Sequence, residues 1–241
     1  MEKRIQGQRV IIMGGTSGMG LAAARLLVES GAEVIVTGRD KVKLDDALQH
    51  LGPNASGEQL DAASPEDLKA FFKRQGNFDH LIISVSGAKG AGNFRELSLT
   101  ELRGGFEAKF WPQVMSAQFS LETLNSHGSI TFITAISARN ISPGISGLAA
   151  INAALEAMVP NLALELAPIR VNAVSPGVVN TSWWNWMPEE QRSATFGYFA
   201  ENTPVGRVGE PEDIAKAMYY LIDNTFVTGT VLEVDGGLRL K

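Results

Sequence analysis

Seven residues near the start of the chain, Gly14-Gly15-Thr16-Ser17-Gly18-Met19-Gly20, have the composition and spacing to hold an anion. Glycines let a backbone turn sharply and approach a ligand with no Cβ in the way. The free N–H groups that open a helix, aided by its dipole, then face a negative charge. A loop of this kind serves to bind a dinucleotide pyrophosphate. A second candidate follows about twenty residues later, where dinucleotide folds place either an acid for the ribose 2′-OH or an Arg for a 2′-phosphate. Here the chain reads Gly38-Arg39-Asp40. The acid is absent at Gly38, and a planar guanidinium suits phosphate oxygens, so Arg39 favours NADP(H) over NAD(H).

Other chemistries lack their residues. There is no cysteine, which removes thiolate catalysis, disulfides and Cys-based zinc sites. His50, His80 and His127 are scattered, so no metal site is expected. The only tyrosines are Tyr198, Tyr219 and Tyr220. Aromatic residues crowd one stretch: Trp183, Trp184 and Trp186, then Phe196, Tyr198 and Phe199. Such residues bury large areas and shape pockets. Two readings stay open for them, a pocket for an apolar or aromatic ligand and a lid packed on its own scaffold or on a neighbouring subunit.

The elements that must position these residues alternate in type. Val10 to Met13 form an apolar run before the glycines, and a helical pattern follows to Gly31. Residues 32–37 read as a second strand, with Asp40 capping a helix that aligns Leu44, Ala47, Leu48 and Leu51. Residues 58–61 read as a short third strand, and Ser64-Pro65 as a helix start. Further strands are expected at 81–85, 129–134, 170–174 and 231–234. Further helices are expected from Ser98 towards Leu124, over 147–167 and over 211–223. Strand–helix alternation predicts a doubly wound, Rossmann-type α/β fold, a parallel sheet with helices on both faces and the ligand outside the carboxyl ends of its strands.

A chain of 241 residues, 44% hydrophobic and 20% charged, has enough core for one domain over 1–241. The net charge of −5 argues against nucleic acid. Met1-Glu2-Lys3-Arg4 lacks the apolar run of a leader, and no segment reaches the ~18 consecutive apolar residues of a membrane span. A cytoplasmic protein without membrane partners is the expectation.

Four stretches, in order, resemble the short-chain dehydrogenase/reductase family. They are Met13 to Gly20 (its TGxxxGxG loop, with Met13 for the usual Thr), Pro176 to Thr181 (its PGxVxT segment), Pro204 to Ala215, and Thr228-Gly229 with Val234 to Gly237. The resemblance covers nearly the whole chain and implies seven parallel strands and a small-molecule substrate. It implies a homo-oligomer, tetramer or dimer, paired through the helices near 99–124 and 147–167, although Pro160 lies inside the second. It makes Gly14, Thr16, Ser17, Gly18, Met19 and Gly20 the pyrophosphate loop. Asp61 would meet the adenine amino group, and Gly87 would pass the adenosine ribose. Val179 and Thr181 would flank the nicotinamide, and residues 181–203 would form a substrate lid.

The family's reaction uses a Tyr acid, a Lys four residues later, a Ser and an Asn. Alignment on Ala153-Ala154-Leu155-Glu156 puts Asn152 at the Lys position, Leu148 at the Tyr, Ala135 at the Ser and Lys109 at the Asn. No YxxxK occurs anywhere in the chain. Leucine cannot donate a proton and alanine has no polar side chain, so the usual mechanism is excluded. Lys109 is the leading replacement, because lysine pKa values fall readily on burial. Thr134 and Asn152 are candidates to orient a carbonyl, and Ser142 and Ser146 are weaker ones. Two functions are expected to compete: an NADP(H)-dependent oxidoreductase of a small apolar carbonyl or quinone with a non-standard proton donor, and a catalytically silent NADP(H) sensor or scaffold.

Overall fold

Seven parallel strands in the order β3-β2-β1-β4-β5-β6-β7 form the centre of the molecule. The computed structural model describes residues 5–87 and 89–241; the leader reading at Met1 to Arg4 lies outside them. In chain order the elements are β1 (Arg9–Met13), α1 (Gly18–Glu29), β2 (Glu33–Gly38), α2 (Lys41–Leu51), β3 (Ala55–Gln59), α3 (Pro65–Gln75), β4 (Phe78–Ile83), α4 (Leu99–Gly105), α5 (Trp111–Ser120), β5 (Leu124–Ile133), α6 (Ser146–Glu165), β6 (Arg170–Pro176), α7 (Glu189–Asn202), α8 (Pro211–Asp223) and β7 (Val231–Val234).

Alternation along β1 shows how the layers form. Val10 and Ile12 face one core with Leu27 of α1, Leu44 of α2 and Ile214 of α8. Ile11 and Met13 face the other, with Leu68 and Phe71 of α3, Ala117 of α5 and Leu155 of α6. Both faces are buried, as a strand between two helical layers requires. β1 pairs β2 on one side and β4 on the other. The crossover changes direction there, which opens the crevice in which such folds bind ligands.

Local signals held the helix starts. Asp40 accepts from Val42 N at 2.9 Å and Lys43 N at 3.2 Å. Ser64 accepts from Asp67 N, and Ser98 from Thr100 N and Glu101 N. Three expectations need correction. The third strand runs Ala55–Gln59 rather than 58–61, because its register is set by pairing with Val34 to Gly38. The fourth strand runs Phe78–Ile83, two residues short of Val85. The long helix from Ser98 does not reach Leu124: α4 and α5 are separated by a π-helical turn, Phe106–Phe110, and Leu124 opens β5. Pro112, in the first turn of α5, has no N–H to return to the preceding turn, so the helix widens ahead of it. Nor does Pro160 break α6, which is continuous from Ser146 to Glu165.

By length and composition alone α6 could cross a membrane, contrary to the expectation that no segment would. Its inward side carries Leu155, Val159 and Ala163 in the core and a buried glutamate, Glu156. It is a core helix of this sheet.

Candidate active site

The glycine loop leads from the carboxyl end of β1 into α1. Gly14 has φ 81°, and a Cβ there would lie 2.9 Å from the Ser84 carbonyl oxygen at the end of β4. A Cβ on Gly20 would strike the carbonyl of Gly14. Gly18 has φ 52° and faces Thr181, whose Cγ2 would lie 3.4 Å from an added Cβ. Ser17, at the N-cap of α1, receives no side-chain bond from the helix, so its first N–H groups stay open. Met19 packs on the core beneath, where Val179 is buried. Loop, helix end and Thr181 enclose a cradle that side chains would fill. The residues present fit a pyrophosphate.

At the end of β2 an added Cβ on Gly38 would lie 2.7 Å from both Oγ1 and Cγ2 of Thr16. Thr16 therefore occupies the place where an acid would start. Asp40 is committed to capping α2 and is not free for a ribose hydroxyl. Arg39 is exposed and forms no ion pair among the described residues. It lines a cleft of about 400 Å³ with Glu58, Gln59, Asp61, Asp67 and Arg74. Arg74 pairs with Glu58 in that cleft, which leaves Arg39 as its uncommitted cation. Asp61 accepts from Ala63 N at 3.0 Å through Oδ1 and is otherwise exposed. The fit to a 2′-phosphate rests on Arg39.

The carboxyl ends of β4, β5 and β6 are arranged differently. Lys109 lies in the π-turn, buried, with Nζ donating to the Thr134 carbonyl at 3.0 Å. Burial pulls its pKa from 10.5 down to about 8, against an upward pull from the Glu156 carboxylate. One turn on, Gln113 donates from Nε2 to the carbonyls of Val85 and Ile133, both at 2.9 Å. Lys109 and Gln113 thus clip the widened helix across β4 and β5. Gly87 lies against the same turn, since a Cβ on it would come 2.6 Å from Ala108 Cβ.

Thr134 needs correction as a carbonyl-orienting candidate. Its hydroxyl is buried and lies 2.9 Å from Glu156 Oε1 and 3.2 Å from the Val174 carbonyl. What it offers Lys109 is its main-chain oxygen. Asn152 is committed too: Nδ2 donates to Ser137 Oγ at 3.0 Å and to the Leu148 carbonyl at 2.9 Å. Its Oδ1 is buried without a partner. Leu148 and Ala135 present no proton, and Ser142 and Ser146 are exposed.

Glu156 was not anticipated as a site residue. Its buried carboxylate accepts from Thr134 and, at 2.9 Å, from Ser175 Oγ on one oxygen, and from Arg139 Nε at 3.0 Å on the other. A lone acid inside the apolar run Leu155 to Val159 was the signal available.

After Thr181, residues Ser182–Trp186 form a 3₁₀ turn followed by α7. Trp184 donates from Nε1 to the Val179 carbonyl at 3.0 Å. It packs edge-to-face on Trp183 and Phe196, with centroids 4.8 and 5.6 Å away. Trp186 is 62% exposed, and α7 has no buried residue. The aromatic cluster is thus pinned by one indole and open at another.

Residues 14–239 match the family described as enoyl-(acyl carrier protein) reductase. The chain is 32% identical over 257 residues to the short-chain dehydrogenase/reductase ATR9 of Stachybotrys chlorohalonatus, covering 98% of this chain and 99% of that one. It is 28% identical over 256 residues to the short-chain dehydrogenase/reductase fsr5 of Gibberella fujikuroi, covering 99% and 97%. A small-chain dehydrogenase solved in complex with NADPH superposes with a TM-score of 0.85 at 34% identity, covering 98% of this chain and all of that one. The fold, the glycine cradle and these likenesses agree: the chain belongs to the short-chain dehydrogenase/reductase family.

Proposed function

We propose that this chain is an NADP(H)-dependent oxidoreductase acting on a small, apolar carbonyl or quinone, with Lys109 as its proton donor. The observation that carries the reading is a buried lysine, at the carboxyl ends of the strands, whose pKa has come down to about 8. A general acid works best when its pKa is close to the working pH. An ammonium has three donors, and among the described residues this one meets a single acceptor, so two N–H groups remain for a substrate oxygen.

In this reading Gly14, Ser17, Gly18, Met19 and Gly20 hold the pyrophosphate, and Thr16 borders the ribose. Arg39 takes the 2′-phosphate, Asp61 the adenine edge, Gly87 the adenosine ribose, and Val179 and Thr181 the nicotinamide. The bound cofactor supplies the hydride. Lys109 gives its proton to the substrate oxygen as the carbonyl carbon is reduced, and regains it from water. Acceptors that are already electron-poor need least help from so weak an acid. Trp183 and Trp186, at the open end of the lid cluster, suit an apolar ligand.

The test is loss of dihydronicotinamide absorbance from NADPH against a panel of dicarbonyls and quinones, with Lys109→Ala alongside. Turnover abolished by the substitution supports the reading; no turnover on any acceptor at high enzyme concentration overturns it. One observation favours the silent NADP(H) sensor or scaffold instead. The Thr134 hydroxyl and the Asn152 amide N–H groups are bonded inside the protein. That reading expects unequal affinities for NADPH and NADP⁺, with a lid that responds to only one.

A homotetramer or homodimer is part of the proposal. Leu164 on α6 is 82% exposed and Trp111 on α5 is 46% exposed, which leaves apolar surface on both helices for a second copy. A monomeric mass by light scattering at micromolar concentration overturns it.

A further inference from the structure

Besides Lys109 and the ion-paired Asp235, three titratable side chains are buried among the described residues, and two of these have a plain structural role. His80 uses both ring nitrogens, on Ser129 Oγ at 2.8 Å and Gln8 Oε1 at 2.9 Å. Arg170 spreads its guanidinium over the carbonyls that end α8, Ile222 at 2.9 Å and Asn224 at 3.2 Å among them. Glu156 is the third, and no fold requirement explains an acid there. An apolar side chain at that position would match Leu155 and Val159 beside it, and a buried carboxylate is costly unless paired.

The network around it joins four parts of the chain. Thr134 ends β5, Ser175 lies in β6, Arg139 belongs to the β5–α6 connection, and Glu156 itself projects from α6. Beyond Arg139 the network continues through Glu233 at 2.8 Å to Arg239 at 3.1 Å and Asp235. Thr134 is the junction: its hydroxyl meets Glu156 while its carbonyl meets Lys109. The other charges near the π-turn point away. Glu107 is exposed, and Lys89, in the loop before α4, turns to Glu101 at 3.8 Å.

We propose that Glu156 is a positioning residue for Lys109: acting through Thr134 and through its own charge, it holds the lysine as an ammonium at the end of β5, ready to give up a proton. The inference rests on the reading of Lys109 as proton donor. Glu156 touches neither substrate nor cofactor. Its carboxylate supplies the opposite charge a buried ammonium needs, and Arg139 with the two hydroxyls keeps that carboxylate fixed.

The coupling is measured without turnover, by NMR titration of the Lys109 side chain in ¹³C,¹⁵N-lysine-labelled full-length protein. Glu156→Gln is expected to lower the Lys109 midpoint by about one pH unit, a tenfold loss of proton affinity. Ser175→Ala, which removes a hydroxyl but keeps the charge, is expected to leave the midpoint in place. A merely structural role would move both variants alike or neither. Thr134→Val, which cuts the hydroxyl link between the carboxylate and the residue whose carbonyl binds Lys109, should lower the Lys109 midpoint as well, by less. That arm stands even if Glu156→Gln does not fold. An unmoved Lys109 midpoint in Glu156→Gln, or in Thr134→Val should Glu156→Gln not fold, overturns the proposal. If the midpoints move as expected and wild type turns over no acceptor, the coupling stands and the oxidoreductase reading falls. If turnover depends on Lys109, its alkaline limb in Glu156→Gln must move to lower pH with the midpoint.

Discussion

The two halves of the cleft treat their polar groups in opposite ways. At β1 and β2 the structure leaves donors unspent: the first N–H groups of α1 and the guanidinium of Arg39. At β4 to β6 it spends nearly all of them. Thr134, Asn152, Ser175 and Gln113 bond within the protein, and among these described side chains the ammonium of Lys109 keeps spare N–H groups. The difference separates a half built to receive a ligand from a half bonded mainly to itself. The half at β1 and β2 rests on backbone geometry and on one side chain, Arg39. At β4 to β6 the donors are taken up by internal bonds, and the proposed chemistry rests on one side chain, Lys109.

The largest effect should come from breaking the second half. Lys109→Met is expected to lower kcat by a hundred- to ten-thousandfold, the usual worth of a general acid, while NADPH affinity by calorimetry stays within about twofold. A fall in both would mean that the halves are not separate. Next is Arg39→Ala, in the first half. A charge-assisted guanidinium–phosphate contact contributes roughly 1.5–3 kcal/mol. NADPH affinity should then fall about ten- to a hundredfold and NADH affinity should hold. Equal binding of NADH and NADPH by wild type would make Arg39 a surface charge only.

Of similar or smaller size is the clash at β2. Gly38→Asp with Arg39→Ala should cost ~1–3 kcal/mol of stability, because the new Cβ overpacks Thr16. Adding Thr16→Ala should restore that stability and turn the preference to NADH, as chemical denaturation and calorimetry would show. The smallest effect sharpens the contrast through pH. Lys109 donates only while protonated, so turnover should halve near pH 8 and fall about tenfold per unit above it. Stability should move the other way. The folded pKa of about 8 lies below the free lysine's 10.5, so between them the unfolded chain binds the extra proton. Stability from this group therefore rises with pH across that window and is least below it. Lys109→Met should remove that rise from the stability–pH curve.

The sequence carried more of the first half than of the second. The glycine loop, the Asp40 and Ser64 caps, and the last strand at Val231–Val234 are local signals, written in a few adjacent residues. β3 is Ala-Ser-Gly-Glu-Gln, with little strand propensity, and takes its position from pairing with β2, so its limits could not be read from its own residues. The helix of α7 carries no buried face to give it a period. The π-turn follows from a proline meeting a packed sheet, and the Glu156 network joins Thr134, Arg139, Ser175 and Glu233 across separate elements. Position in the family named Lys109. Only the fold shows that it is buried and what shares its charge.

The contact between Thr16 and Gly38 bears on how such a protein changes over generations. Because a side chain at 38 meets Thr16 in the glycine loop, the two sites are not independent, and substitutions there do not add. A lineage moving towards NADH would have to change the loop first and the strand end second. The acid alone arrives in a space already filled by Thr16. Cofactor preference here is a ratchet with a fixed order of steps, and the first step leaves no mark on the residue usually inspected for it.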